Sequence, residues 1–201
     1  MAPWLARPSA SADAAAKPLP IPPRRRYQAA MVPPVPADPD TLFRRLDALG
    51  IAHETHRHPP VFTVEEAKAL RGTLPGAHIK NLFLRDKKKR IWLVTALEER
   101  RIDLKALRRR LGASGSLSFG APDLLMAVLG VIPGAVTPFG VINDREGRAR
   151  MVLDAALTAG ALVNAHPLRN DMTTAVSAEG LRAFLEAENH PPEIIDFDTL
   201  A

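Results

Sequence analysis

Eleven consecutive residues at positions 130 to 140, GVIPGAVTPFG, set the tightest limit on how the middle of this chain can fold. Three glycines and two prolines leave little room there for a regular helix or strand, because glycine weakens both and proline removes an amide donor while fixing φ. The backbone must follow a fixed irregular path. Leu124, Leu125, Val128 and Leu129 lead into it, and such apolar flanks suit the wall of a pocket better than a linker. A plain structural turn is the alternative reading.

The remaining chain reads as short, intermixed elements. Asp38 or Asp40 caps a helix whose Leu42, Phe43, Leu46 and Leu49 recur at three- and four-residue spacing, with Gly50 to end it. A strand over residues 51 to 56 follows. Thr63 and Glu66 have capping-box spacing, which predicts a helix over 64 to 71 and a loop over 72 to 76. Runs 78 to 85 and 91 to 97 read as a β-hairpin around charged residues 86 to 90. Ile91, Trp92, Leu93 and Val94 are too continuously apolar for a one-sided strand, so the second run is expected inside a sheet. Asp103 starts a helix through Leu104, Leu107 and Leu111, residues 116 to 119 form a strand, and a helix over 122 to 129 delivers the chain into the glycine loop. Residues 141 to 143 and 149 to 153 are expected to pair as strands, with short strands at 162 to 164 and 173 to 176 around His166. Ser177 caps a last helix through 181 to 188, and 194 to 197 closes as a strand. The fold class is α+β (mixed α/β): a single compact domain with a curved mixed β-sheet flanked by helices.

At 201 residues and 46% hydrophobic content the chain can bury one good-sized core, expected from residues 38 to 201. Residues 1 to 37 hold nine of the nineteen prolines among Ala, Ser and Arg, and read as a disordered extension. Met31 is an alternative start, since the folded pattern begins just after it. No cysteine is present, which excludes disulfides, thiolate metal sites and cysteine nucleophiles. No apolar run reaches the roughly 18 residues that span a bilayer, and no signal-peptide pattern opens the chain, so a cytoplasmic, membrane-free protein is expected. The net charge of +5 is unevenly placed: residues 80 to 110 carry twelve basic side chains against four acidic ones, and residues 171 to 201 carry one against seven. Such polarity suits a polyanion on one face, with solvated element ends as the bland alternative.

Two outlying residues join the loop as candidate chemistry. Lys80 interrupts an apolar strand among Ile79, Leu82, Phe83 and Leu84, so it either lies on a wet edge or faces a cavity where an anion or carbonyl oxygen completes it. His166, in NAHPLRND with Asn164, Asn170 and Asp171, can orient a carbonyl or move a proton, although a lone histidine is more often structural. His53, His56 and His58 lack a third ligand at suitable spacing, and no metal site is expected. Nothing supports a serine hydrolase, a P-loop nucleotidase or a Rossmann enzyme.

Three motifs in order, HIKNLFLRDKKKRIWLVTA, FGAPDLLMAVLGVIPGAVTPFGVIND and NAHPLRNDMTTAVSAEGLRAFL, resemble the YbaK/prolyl-tRNA-synthetase-associated editing-domain family, and within it the free-standing ProX and ProXp-ala members. The resemblance covers roughly residues 38 to 200. It implies a mixed α/β domain that hydrolyses the ester joining a wrong amino acid to the terminal ribose of tRNA(Pro), here Ala-tRNA(Pro), with no metal or cofactor. The implied partners are the 3′ acceptor end of the mischarged tRNA and, transiently, prolyl-tRNA synthetase. By motif, Lys80 would hold the terminal phosphate or ribose, beside Asn81. Backbone amides of Gly134 and Pro138, with Ala135 and Val136 between them, would contact the aminoacyl carbonyl and help place the attacking water. His166, near Asn164, would shape the amino-acid pocket. The substrate's own ribose 2′-hydroxyl would take part in proton transfer.

The physics is consistent with that carry-over. A glycine-rich loop supplies N–H groups to a developing oxyanion without side-chain obstruction. Editing has a physical cause, since each missing methylene is worth only about 1–3 kcal/mol to a synthetic site. A second pocket must then exclude proline by size, and Ile79, Leu82, Val131, Ile132, Phe139 and Val141 are candidates for its lining. The alternatives are the same fold acting on Cys-tRNA(Pro), and a non-catalytic tRNA-binding module that grips RNA with residues 87 to 90 and 100 to 110.

Overall fold

A computed structural model describes residues 35–60, 74–158 and 162–200. The expected helix over 64 to 71 and residues 1 to 34 of the expected extension lie outside them. In chain order the described elements are α1 (Pro39–Ala48), β1 (His53–Arg57), β2 (Ala77–Arg85), β3 (Ile91–Leu97), α2 (Leu104–Arg110), β4 (Ser118–Phe119), α3 (Pro122–Leu129), a 3₁₀ helix (Pro138–Asn143), β5 (Ala149–Asp154), a second 3₁₀ helix (Ala155–Thr158), β6 (Leu162–Ala165), β7 (Met172–Ser177), α4 (Ala178–Ala187) and β8 (Glu193–Ile195). No described helix is long and apolar enough to cross a membrane.

Local chemistry starts the helices where the sequence predicts. Asp38 accepts the amide of Thr41 at 2.8 Å, Asp103 that of Lys105 at 2.7 Å, and Ser177 that of Gly180 at 2.9 Å. Gly130 ends α3 in the left-handed conformation, φ 65°, its amide returning to Met126. A Cβ there would lie 2.6 Å from Asn143 Nδ2 and 2.8 Å from Pro36 Cβ, so the position is closed on conformational and steric grounds alike. Asn143 completes this junction, accepting from the Ala37 amide at 2.8 Å and donating to the Leu129 carbonyl at 2.9 Å. Pro36 and Ala37, assigned by composition to the extension, therefore already touch the domain.

The strands form one mixed sheet in the order β1-β7-β6-β2-β3-β5-β8, with β4 also on β2. β2/β6, β3/β5 and β5/β8 are parallel; the other pairs are antiparallel. β3 is interior and is covered on both faces, which is why its apolar run is continuous. Ile91 and Leu93, with Phe83 and Met151, face a core that includes Leu46, Leu129 and Phe184 from the helices. Trp92, Val94 and Ala96, with Leu84 and Val152, face a second core closed by Leu107 of α2, by Leu111 at its C-terminal cap and by Phe197.

The structure corrects one pairing. Residues 141 to 143 are not a strand but the end of the first 3₁₀ helix, entered at Pro138 behind the Thr137 cap and closed by Gly140 N–H to Thr137 O and Asp144 N–H to Val141 O. Proline and glycine are poor ladder residues, and β5 pairs instead with β3, from Ile91↔Ala149 to Thr95↔Leu153.

A buried ion pair holds this helix to the chain after α4. Asp144 accepts the amides of Ala149 at 2.7 Å and Arg148 at 3.1 Å, and His190 Nε2 lies 3.1 Å from Asp144 Oδ2. Burial opposes both charges, but their mutual hydrogen bond prevails, lowering the Asp144 pKa and raising that of His190. The imidazolium stabilises the fold below its ordinary pKa of 6.5 and stops doing so as pH rises through the raised value; the carboxylate contributes above its ordinary 3.8 and stops as pH falls through the lowered value. The stability difference between wild type and His190→Gln is therefore expected to peak between about pH 4 and 6.5 and to shrink above that. Urea midpoints measured across pH check this, and a difference that stays constant from acid to alkaline pH would refute it.

Candidate active site

The site begins with a break in the sheet. β3 pairs with β2 from residue 79 to residue 85, whereas on the opposite edge β6 meets only Ala77 and His78, and β4 only Leu84 and Arg85. Among the described residues, 79 to 82 have no strand neighbour on that side, and the Phe83 carbonyl accepts the Gly120 amide just past β4 at 2.9 Å. β6 stops at Ala165, and Pro167, two residues on, cannot donate to a ladder. Continuing the register from His78↔Asn164 would set Lys80 against His166, so the two residues lie at the lips where β2 and β6 part. Crevices at the carboxyl ends of parallel strands are common ligand sites in α/β sheets.

Lys80 and Asn81 leave β2 on opposite faces. Asn81 shares its face with Ile79 and Phe83, donating from Nδ2 to the Val136 carbonyl at 3.0 Å and accepting from Thr95 Oγ1 at 2.7 Å. Its carboxamide thus ties the glycine loop to the β2/β3 pair. Inside the loop the Ala135 amide donates to the Ile132 carbonyl at 3.0 Å, and Gly134 takes φ 87°, a value that strains any side-chain-bearing residue. Gly134 is exposed, whereas Ala135 and Pro138 are buried. Pro138 has no amide hydrogen and that of Ala135 is engaged, so the expected donor pair Gly134 and Pro138 is corrected: donors toward a ligand can come from Gly134 and Val136, while Pro138 fixes the turn.

Lys80 lies on the face of Leu82 and Leu84 and is half-buried; its Nζ donates to the main-chain carbonyl of Arg100. A carbonyl orients an ammonium without cancelling its charge, which leaves that charge for a ligand anion. The carbonyl is itself held. Arg100 Nε donates to Asp154 Oδ2 at 3.0 Å, and its guanidinium also pairs with Asp198; these hydrogen bonds raise the pKa of Arg100. Asp154 is fully buried and accepts the Ala156 amide at 3.1 Å as well.

His166 places Nδ1 2.9 Å from the Met172 carbonyl. A carbonyl only accepts, so Nδ1 carries the hydrogen and Nε2 keeps a free lone pair. Burial lowers the His166 pKa, as does the neighbouring His58, outweighing the Met172 carbonyl and Asp171. The ring is neutral near pH 7. His58, 6.3 Å away between ring centroids, bonds Thr173 Oγ1 at 2.9 Å. His53 stacks on Phe43 at 5.4 Å and His56 faces Glu54 at 3.3 Å, so the three histidines weighed as metal ligands have separate partners. Asn164 is buried on β6; its Nδ2 donates to the Pro75 carbonyl at 3.0 Å, and its Oδ1 has no hydrogen-bond partner among the described residues.

Residues 58–184 match the family model described as "Aminoacyl-tRNA editing domain". The chain belongs to that family. A mouse relative, "Prolyl-tRNA synthetase associated domain-containing protein 1", is 42% identical over 161 residues, covering 78% of this chain and 95% of the relative. "Prolyl-tRNA editing protein ProX" of Acetoanaerobium sticklandii is 37% identical over 156 residues, covering 77% and 94%. A solved structure described as a candidate trans-editing enzyme for prolyl-tRNA synthetase has the same fold, with a TM-score of 0.61 at 20% identity over 80% of this chain and 96% of that one.

The editing domain treats the six expected pocket-lining residues unequally. Phe139 and Val141 belong to the core, Phe139 edge-on to Phe184 at 5.3 Å, while Leu82 packs against the second core and Ile132 is 52% exposed. Val131 is buried in the same core as Phe139, and only Ile79 stays partly exposed on the face that carries Asn81. Sequence reasoning missed Thr95, Arg100 and Asp154, because nothing local in the chain announces a partner 14 to 54 residues away.

Replacing Asn81 with Ala would leave the Val136 carbonyl and the Thr95 hydroxyl without their partner. The editing domain should lose about 1–3 kcal/mol of stability, and amides of residues 130 to 137 should exchange faster with solvent. Urea denaturation and hydrogen-exchange mass spectrometry measure both; unchanged exchange in that segment would remove the tether.

Proposed function

We propose that this editing domain is a trans-acting deacylase that hydrolyses mischarged Ala-tRNA(Pro). The observation that carries the reading is the opening beside β2, where a lysine with an uncancelled charge lies on one lip and a neutral histidine on the other. Lys80 holds the terminal phosphate or ribose of the acceptor end. The aminoacyl carbonyl rests against the loop, where amides of Gly134 and Val136 meet the oxyanion as water adds; Ala135 and Pro138 keep those amides in place. The bond from the carbonyl carbon to the ribose oxygen then breaks, that oxygen taking up a proton with the help of the neighbouring 2′-hydroxyl. Alanine and free tRNA result.

His166 and Asn164 supply acceptors. His166 Nε2 receives a hydrogen bond from the α-ammonium or the attacking water, and the unpartnered Asn164 Oδ1 suits a ribose hydroxyl or that ammonium. Two relatives named for prolyl-tRNA synthetase association and prolyl-tRNA editing support tRNA(Pro) as the tRNA and a transient contact with the synthetase. Alanine is the expected amino acid because a small side chain is what a proline site rejects least well.

A panel of Ala-, Cys- and Pro-tRNA(Pro) tests this directly. Ala-tRNA(Pro) should be hydrolysed and Pro-tRNA(Pro) spared, and Lys80→Ala should slow the reaction by roughly 100-fold or more. Hydrolysis of Cys-tRNA(Pro) alone would move the substrate, and tRNA binding without any hydrolysis would make the domain a binding module.

The lowered His166 pKa sets the direction of the pH response. The neutral ring is the acting form, so the rate should fall as pH drops through a value below the ordinary 6.5. His166→Asn should flatten that acid limb in kcat/KM profiles; an identical limb in the variant would assign it to another group.

A further inference from the structure

Away from the opening, the basic side chains of residues 87 to 110 fall into two kinds. Arg90 pairs with Asp86 at 2.7 Å, Arg110 with Glu193 at 2.5 Å, and Arg100 with Asp154 and Asp198. Lys87, Lys88, Lys89, Arg101, Lys105, Arg108 and Arg109 have no carboxylate partner among the described residues. Helix-end arginines are accounted for by the dipole of α2. Three adjacent lysines in a tight turn are not.

That turn is built to be rigid. Asp86, 2% exposed at its base, accepts from the Arg90 amide at 3.0 Å, from Arg90 Nε at 2.8 Å and from the Ser114 amide at 2.8 Å. Burial opposes its charge, but these donors prevail and hold its pKa down at about 2. Lys87 N–H donates to the Ser114 carbonyl at 3.0 Å, and Arg90 reaches the Gly112 carbonyl at 2.8 Å, so the turn is joined to the segment that leaves α2. The Lys87 stem lies directly on Gly115, where a Cβ would stand 2.5 Å from Lys87 Cδ. Beside this junction is a groove of about 400 Å³, with Leu104 and Leu117 as apolar lining and Lys105, Arg108 and Ser116 as polar walls. α2 packs through Leu107 on the core that lies on the Lys80 side of β2.

We propose that this groove and turn hold the phosphate backbone of the tRNA acceptor arm, several nucleotides away from the ester at Lys80. This rests on the deacylase reading above. Lys80 and Arg85 stand five strand steps apart on β2, about 17 Å at ~3.3 Å each, and Lys87 follows at the start of the turn, so one RNA strand can reach both places. Unpaired lysines and arginines with one serine hydroxyl are phosphate and sugar contacts, which position RNA without reading its sequence.

The test is Lys87→Gln/Lys105→Gln/Arg108→Gln, which keeps most of each stem, with Lys88→Gln/Lys89→Gln as an independent second variant on exposed side chains. Binding of uncharged tRNA is measured over a salt series, alongside hydrolysis of Ala-tRNA(Pro) and of alanyl-adenosine, an ester without an acceptor helix. The triple variant should reduce the salt slope by about 2 to 3 and weaken tRNA binding by roughly tenfold or more, and KM for Ala-tRNA(Pro) should rise in step. Turnover of alanyl-adenosine and kcat should not change. Equal tRNA affinity and slope in wild type and both variants would overturn the proposal, as would an equal loss on alanyl-adenosine. Should wild type hydrolyse neither ester while the variants still lose tRNA affinity, the deacylase reading fails and the RNA surface stands.

Discussion

A lysine in the middle of an apolar strand must meet a polar partner, and the whole site follows from which partner this one has. A carboxylate beside Lys80 would satisfy the ammonium and also cancel it. The Arg100 carbonyl satisfies it and leaves the charge in place. The carboxylates, Asp154 and Asp198, stand one step back and neutralise the Arg100 guanidinium instead. Positive charge is thereby concentrated at the opening of the sheet, while the buried anion Asp154 serves as a support that a ligand never needs to touch.

The second support is the Asn81 carboxamide. It uses both halves, the amide on the Val136 carbonyl and the oxygen on the Thr95 hydroxyl, so β3, β2 and the glycine loop become one unit. A loop with φ 87° at Gly134 and a proline at the head of a 3₁₀ helix has few alternative paths, and one anchor suffices to fix where its amides lie. Neighbouring residues on one strand thus do two jobs, Lys80 on one face and Asn81 on the other. The alternation of a strand, with side chains leaving on opposite faces, makes that division possible.

What was legible in the sequence was local. Asp38, Asp103 and Ser177 each cap the helix that follows within a turn, the helix Pro122–Leu129 is bounded by a proline and a glycine, and the apolar run of β3 states its interior position. The motif order pointed to the family and to Lys80, Asn81, Gly134 and His166 together. Non-local facts were hidden. That β2 and β6 run parallel and part after two residue pairs cannot be read from either strand, and the role of Arg100 depends on Asp154, 54 residues on. The supposed strand at 141 to 143 failed for a related reason: apolar residues there suit a ladder, but Pro138 and Gly140 just before them set the backbone turning.

The charge distribution also takes on meaning only in three dimensions. In one dimension residues 80 to 110 are simply basic and residues 171 to 201 acidic. In the fold, parts of the two meet: Glu193 and Asp198 of the acidic stretch neutralise Arg110 and Arg100. Those pairings subtract the arginines that hold the structure together. Of the cations in residues 80 to 110 that have no carboxylate partner among the described residues, most lie at the β2–β3 turn and along α2, on a platform fixed by the buried Asp86. Solvation alone would not require that rigidity, since solvated lysines are equally soluble on a mobile turn. On the proposed reading, a backbone of phosphates, regularly spaced and needing several contacts at once, would be a partner for which fixing the turn in advance lowers the entropic cost of binding.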